Sequence, residues 1–120
     1  MKPSQALAIV RQVATIEEPW IWLICGVGVA FLAGRWNRNH HDVDFMTFAE
    51  HRAVAMESFE RLGLIFESDH GWVTHWQSDG NLVELVFVER TGPNSGDVVV
   101  CADGSFGGTI AKDGDCRRGR

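Results

Sequence analysis

The sequence predicts an α+β domain with about five strands. Three observations carry this. Apolar residues recur at helical spacing near residues 4–17 and 50–62. Trp20–Ile24 is a continuous apolar run, the pattern of a buried strand, and Leu82–Val88 is apolar but for Glu84. Ser78-Asp79-Gly80-Asn81 joins two strand-like segments through a dipeptide suited to a tight hairpin. With 120 residues, 45% hydrophobic and 22% charged, the chain has material for one domain with one core.

Taken in order, Ser4 is placed to cap a first helix, with Pro3 before it. Leu7, Val10, Val13 and Ala14 form its apolar stripe, which ends near Glu17 and is broken by Glu18-Pro19. Trp20–Ile24 is the first strand, and Cys25-Gly26-Val27-Gly28 the turn after it. Val29–Ala33 reads as a short helix closed by Gly34. A basic loop, Arg35–His40, leads to a second strand over Asp42–Thr47. Glu50–Leu62 is a helix turning Ala53, Met56, Phe59 and Leu62 to the core, with Arg52 and Arg61 on its solvated face and Gly63 as its cap. Leu64–Glu67, Trp72–Gln77 and Leu82–Val88 complete the strands, with a turn at Asp69-His70-Gly71. A loop over Thr91–Gly96 precedes an edge strand at Asp97–Cys101. The domain therefore covers residues 1–101, and 102–120 is a Gly-rich, basic tail without apolar periodicity, expected to be disordered.

The chemistry gathers around Asp42 and Asp44. Residues two apart on a strand point to the same face, roughly 7 Å apart at Cα, while Val43 and Phe45 point to the other. Two carboxylates held side by side on a rigid strand suit a divalent cation between them, and oxygen ligands are those Mg²⁺ takes. The plain alternative is an amphipathic strand with a solvated polar face. Upstream, Gly26 and Gly28 let backbone approach a ligand, and the helix N-terminus that follows favours phosphate. Arg35 and Arg38 either contact phosphates or pair with nearby surface acids. Glu84 stands alone in an apolar run, so it either faces solvent on an open side of the sheet or faces the metal site.

The run W-x-x-x-G-x-G-x-x-x-x-x-G-R-x-x-R-x-H-x-D-x-D, carried by Trp22, Gly26, Gly28, Gly34, Arg35, Arg38, His40, Asp42 and Asp44, resembles the signature of small aminoglycoside and lincosamide nucleotidyltransferases. The resemblance continues less sharply to about Glu89. It implies the polymerase-beta-like nucleotidyltransferase fold, a mixed β-sheet of about five strands packed by helices on one side. It implies Mg²⁺ on Asp42 and Asp44, with Glu84 as third carboxylate or general base and Glu89 as second choice. It also implies a nucleotide, ATP or another NTP, held at Gly26, Gly28, Arg35, Arg38 and His40. The acceptor would be a small hydroxylated molecule resembling an aminoglycoside or lincosamide, with pyrophosphate as product. The chain departs from the pattern at Cys25-Gly26, where Gly-Gly or Gly-Ser is usual, and at Ala30, where an acid is common. Relatives continue past its last residues with elements that help form the acceptor pocket. The competing reading is therefore a truncated, non-catalytic remnant that binds nucleotide or a partner.

Bulk properties narrow the classes. A net charge of −5 argues against nucleic acid as a partner, and no apolar run is long enough to span a membrane. The N-terminal stretch has no signal-peptide layout, because Arg11 interrupts it. Cys25, Cys101 and Cys116 lack paired spacing and suit reduced thiols in a cytoplasmic protein. A histidine-aspartate phosphohydrolase site at His41-Asp42 would need a helical fold, against the strand patterns here.

Overall fold

The computed structural model describes residues 1–24, 34 and 39–89, and the backbone of 90, 97–100, 106–110 and 116–118. The glycine turn with Cys25, Gly26 and Gly28, the helix expected over Val29–Ala33, and the loop carrying Arg35 and Arg38 lie outside the described residues.

The chain begins with helix α1, Pro3–Val13. Proline starts it, as its fixed φ suits the first helical position, and Lys2 rather than Ser4 is the cap. The Lys2 N–H donates to Gln5 Oε1 at 2.7 Å. Strands β1 (Trp22–Ile24) and β2 (Asp42–Phe48) follow, then a single 3₁₀ turn, Ala49–His51, leading into helix α2, Arg52–Arg61. Strands β3 (Ile65–Asp69), β4 (Val73–Ser78) and β5 (Asn81–Arg90) come next. The β4–β5 turn has positive φ at Asp79 (51°) and Gly80 (79°), the geometry that matches the twist of a two-residue hairpin.

The sheet is mixed. β2 pairs antiparallel with β1 and parallel with β5. β5 also pairs antiparallel with β4, which pairs with β3. The end of β5 pairs with β6 (Asp97–Val100), and β7 (Phe106–Ile110) and β8 (Cys116–Arg118) continue the sheet. Within the Gly-rich stretch 102–120, the described residues are those of β7 and β8. Backbone pairing needs no apolar periodicity, and β6 offers the open edge that β7 joins.

Two apolar clusters lie on the two faces of the sheet. On one face, α1 and α2 cover Val43, Phe45, Trp76, Val83, Leu85 and Phe87. On the other, Trp22, Met46, Phe48, Val73, Val86 and Val88 pack together. Among the described residues, both helices therefore sit on one side of the sheet. The buried residues of α1 are Ala6, Ile9 and Val13, so the stripe is turned about one residue from the one spacing predicts, and Ala14 is exposed. In α2, Ala55 and Phe59 are buried and Ala53 is exposed. Both shifts let small alanines meet the sheet closely while Val10 and Met56 fill its margins. Trp20 is not in β1 and is 60% exposed, although its carbonyl accepts a bond from Thr47 Oγ1 at 2.8 Å.

Trp76 anchors the helical side. Phe59 and Phe66 meet it edge-on at 5.4 Å each. Its indole N–H, which burial would leave costly if unpaired, donates to Thr74 Oγ1 at 2.8 Å. Arg52, expected on the solvated face, instead clips the β3–β4 turn. It donates to Gly71 O at 2.6 Å and to the Asp69 carboxylate, and its guanidinium lies 4.8 Å over the Phe87 ring. Arg61 keeps its exposed position, paired with Glu57 one turn earlier.

Trp76→Ala should cost about 3–5 kcal/mol in denaturant unfolding. Asp69 is held below its ordinary value of 3.8, first by the Gly71 N–H and then by Arg52. A lowered carboxylate contributes stability above its ordinary pKa and loses it as pH falls through the lowered one. Thermal melts should therefore show the unaltered chain more stable than Asp69→Asn at pH 7, with the difference shrinking below the ordinary value.

Candidate metal-binding site

The site follows from strand parity. On β2, Val43, Phe45 and Thr47 face the helices, so Asp42 and Asp44 face the other side with Met46 and Phe48. On β5, Val83, Leu85 and Phe87 face the helices, so Glu84 faces away with Val86 and Val88. The parallel register sets Asp44 directly beside Glu84. The two sequence-predicted features, the aspartate pair and the lone glutamate, are thereby brought to one place.

Asp42, Asp44 and Glu84 each offer a carboxylate oxygen, and these oxygens lie within 4.8 Å of one another. Asp44 is buried, and Asp42 and Glu84 are half-buried. At that separation two unit charges repel by roughly 3–4 kcal/mol at an effective dielectric of about 20. A divalent cation removes this repulsion, and an all-oxygen set of this size fits a hard cation such as Mg²⁺. The donor chemistry therefore suits the metal the sequence implies. Glu89, the second choice for the third carboxylate, falls on the opposite face by parity and is exposed.

The strand end that carries Asp42 is fixed from upstream. His40 is buried, and its backbone exchanges two hydrogen bonds with Met1, at 3.0 and 2.6 Å. This ties the entry to β2 against the start of α1. Of the nucleotide-binding positions expected, His40 alone lies among the described residues; Gly26, Gly28, Arg35 and Arg38 do not.

One residue of the site escaped the sequence reading. His75 on β4 pairs with Glu84 across the hairpin, and its Nε2 lies 3.3 Å from Glu84 Oε1. The signal was present. A two-residue turn at Asp79-Gly80 fixes Ser78 opposite Asn81, and counting back along the ladder sets His75 opposite Glu84. No helix among the described residues is long and apolar enough to cross a membrane.

Comparison with known proteins adds the following. The family model of aminoglycoside-2″-adenylyltransferase matches residues 6–119. No curated protein sequence matches the chain. Among solved structures, ANT(2″)-Ia in complex with adenylyl-2″-tobramycin superposes with a TM-score of 0.63 at 19% identity, over 78% of this chain and 60% of that one. A solution structure of the antibiotic-resistance factor ANT(2″)-Ia gives 0.64 at 18% identity, over 98% and 65%. The lincosamide antibiotic adenylyltransferase LnuA, lincomycin-bound, gives 0.60 at 19% identity, over 95% and 77%. At these identities the likeness is one of fold, and the chain spans less than two thirds of ANT(2″)-Ia.

Asp44→Asn should raise the melting temperature of the metal-free chain by relieving the repulsion. Added Mg²⁺ or Mn²⁺ should stabilise the unaltered chain and leave the variant unmoved, as differential scanning fluorimetry would show.

Proposed function

The chain belongs to the aminoglycoside-2″-adenylyltransferase family, and we propose that it transfers a nucleoside monophosphate from an NTP to a hydroxyl of a small acceptor. The observation that carries the reading is the convergence of Asp42, Asp44 and Glu84 within 4.8 Å on a rigid parallel strand pair. Three fixed carboxylates on the sheet face opposite the helices suit phosphoryl-transfer chemistry, in which positioning and charge neutralisation do most of the work.

In this reading Asp42 and Asp44 would hold Mg²⁺, with Glu84 as third donor. When bound, the ion supplies charge neutralisation at the triphosphate. Gly26, Gly28, Arg35, Arg38 and His40 are the positions assigned to the phosphates. The acceptor oxygen attacks the α-phosphorus, forming a new O–P bond. The bond from that phosphorus to the pyrophosphate bridging oxygen breaks, and pyrophosphate leaves with the electron pair. Glu84 takes the hydroxyl proton, since a carboxylate fixed beside the aspartate pair is placed where that hydroxyl must approach. The family and the ligands of ANT(2″)-Ia and LnuA favour an aminoglycoside- or lincosamide-like acceptor and ATP as donor. A soluble, cytoplasmic enzyme is the setting consistent with such substrates.

Calorimetric titration of ATP with and without Mg²⁺ tests the nucleotide site. Binding should need both Mg²⁺ and Asp44, and binding indifferent to both would sink the reading. Pyrophosphate release should then appear with a hydroxylated aminoglycoside or lincosamide. At saturating Mg²⁺ and nucleotide, Glu84→Gln should slow release by about 100-fold or more. Unchanged turnover in that variant would move the proton to Glu89 or to water, and binding without turnover toward any acceptor would favour a non-catalytic nucleotide-binding role.

A further inference from the structure

Glu84 is flanked on both sides within the sheet. On the β2 side stands Asp44, which repels it; on the β4 side stands His75, which attracts it. The His75–Glu84 pair is half-buried, with side chains 29% and 24% exposed, and Nε2 lies 3.3 Å from Oε1. His75 is itself supported. The His70 ring packs against it at 4.8 Å, tilted by 54°, and His70 Nε2 lies 3.1 Å from Ser68 Oγ. A line of contacts thus runs from the β3–β4 turn, through two imidazoles, to one oxygen of the carboxylate.

A glutamate has enough side-chain freedom that a strand position alone does not aim its carboxylate. Ligating carboxylates are commonly oriented by a partner that holds one oxygen and leaves the other to the cation. We infer that His75 is a positioning residue, which holds Glu84 Oε1 and so turns Oε2 toward the Asp42–Asp44 pair. The inference rests on the metal-site reading above and adds to it the group that sets the third donor. The pairing places the ring proton on Nε2, where it donates to the carboxylate. A cation drawn by Asp42 and Asp44 then meets Glu84 already oriented, and its affinity depends on a residue that does not touch it.

The test uses Mn²⁺ alone, titrated calorimetrically into the whole chain, so no turnover is needed. His75→Phe should weaken Mn²⁺ binding by about 10- to 100-fold. His75→Gln, whose amide N–H also donates to the carboxylate, should restore most of it, which a purely packing role would not predict. In a Glu84→Gln background, His75→Phe should have no further effect. Mn²⁺ affinity that depends on Asp44 but is unmoved by either His75 substitution would overturn this inference and leave the metal site standing. So would an effect of His75→Phe that persists undiminished in the Glu84→Gln background. Absence of Mn²⁺ binding by the unaltered chain would overturn the metal site and this inference together.

Discussion

The parallel pairing of β2 with β5 is the constraint on which the rest depends. Both strands are covered by apolar packing on both faces, so neither is free to choose its parity. A slip of one residue in either strand would send its carboxylates into the helical core and its core residues out. Burial of Val43, Phe45, Val83 and Leu85 under α1 and α2 is therefore also what gathers Asp42, Asp44 and Glu84. The chemistry is placed by the hydrophobic effect acting on the neighbours of the reactive groups.

Along the face that carries the carboxylates, polar and apolar regions divide by position. Glu84, Asp42 and Asp44 occupy the beginnings of β5 and β2, and Met46, Phe48, Val86 and Val88 occupy their ends. Trp22 crosses Phe48 edge-on at 5.1 Å within the apolar half. One pair of strands thus anchors itself at one end and presents donors at the other. Ligands of open α/β sheets commonly bind at strand ends; here the donors are carried at the N-terminal ends of a parallel pair inside a mixed sheet.

Much of this was legible from the residues. The aspartate spacing gave the shared face, the apolar run around Glu84 marked it as an exception, and Asp79-Gly80 marked the hairpin. What was not legible depended on partners far along the chain. Apolar spacing in α1 fits two adjacent stripes, and only the sheet decides that Ala6 and Ile9, rather than Leu7, face inward. Arg52 looked solvated because its partners, Asp69, Gly71 and Phe87, come from other elements. His75 required combining a turn type with a ladder count, and a histidine alone gives no sign of what stands opposite. β7, with two glycines in five residues, and β8, of only three residues, pair through backbone without leaving a side-chain pattern.

The register of the hairpin also bears on the order in which the molecule assembles. His75 and Glu84 face each other across a two-residue turn, a contact whose loop closes on the microsecond scale of a hairpin. Asp44 and Glu84 are joined through α2, β3 and β4, and parallel pairing over so long a connection carries the larger entropic cost of closure. The glutamate and its histidine can therefore meet while the aspartates are still elsewhere on the unfolded chain. Repulsion between the glutamate and the aspartates then arises only at the closing step, together with the pairing of Val43 with Val83 and Phe45 with Leu85 that offsets it.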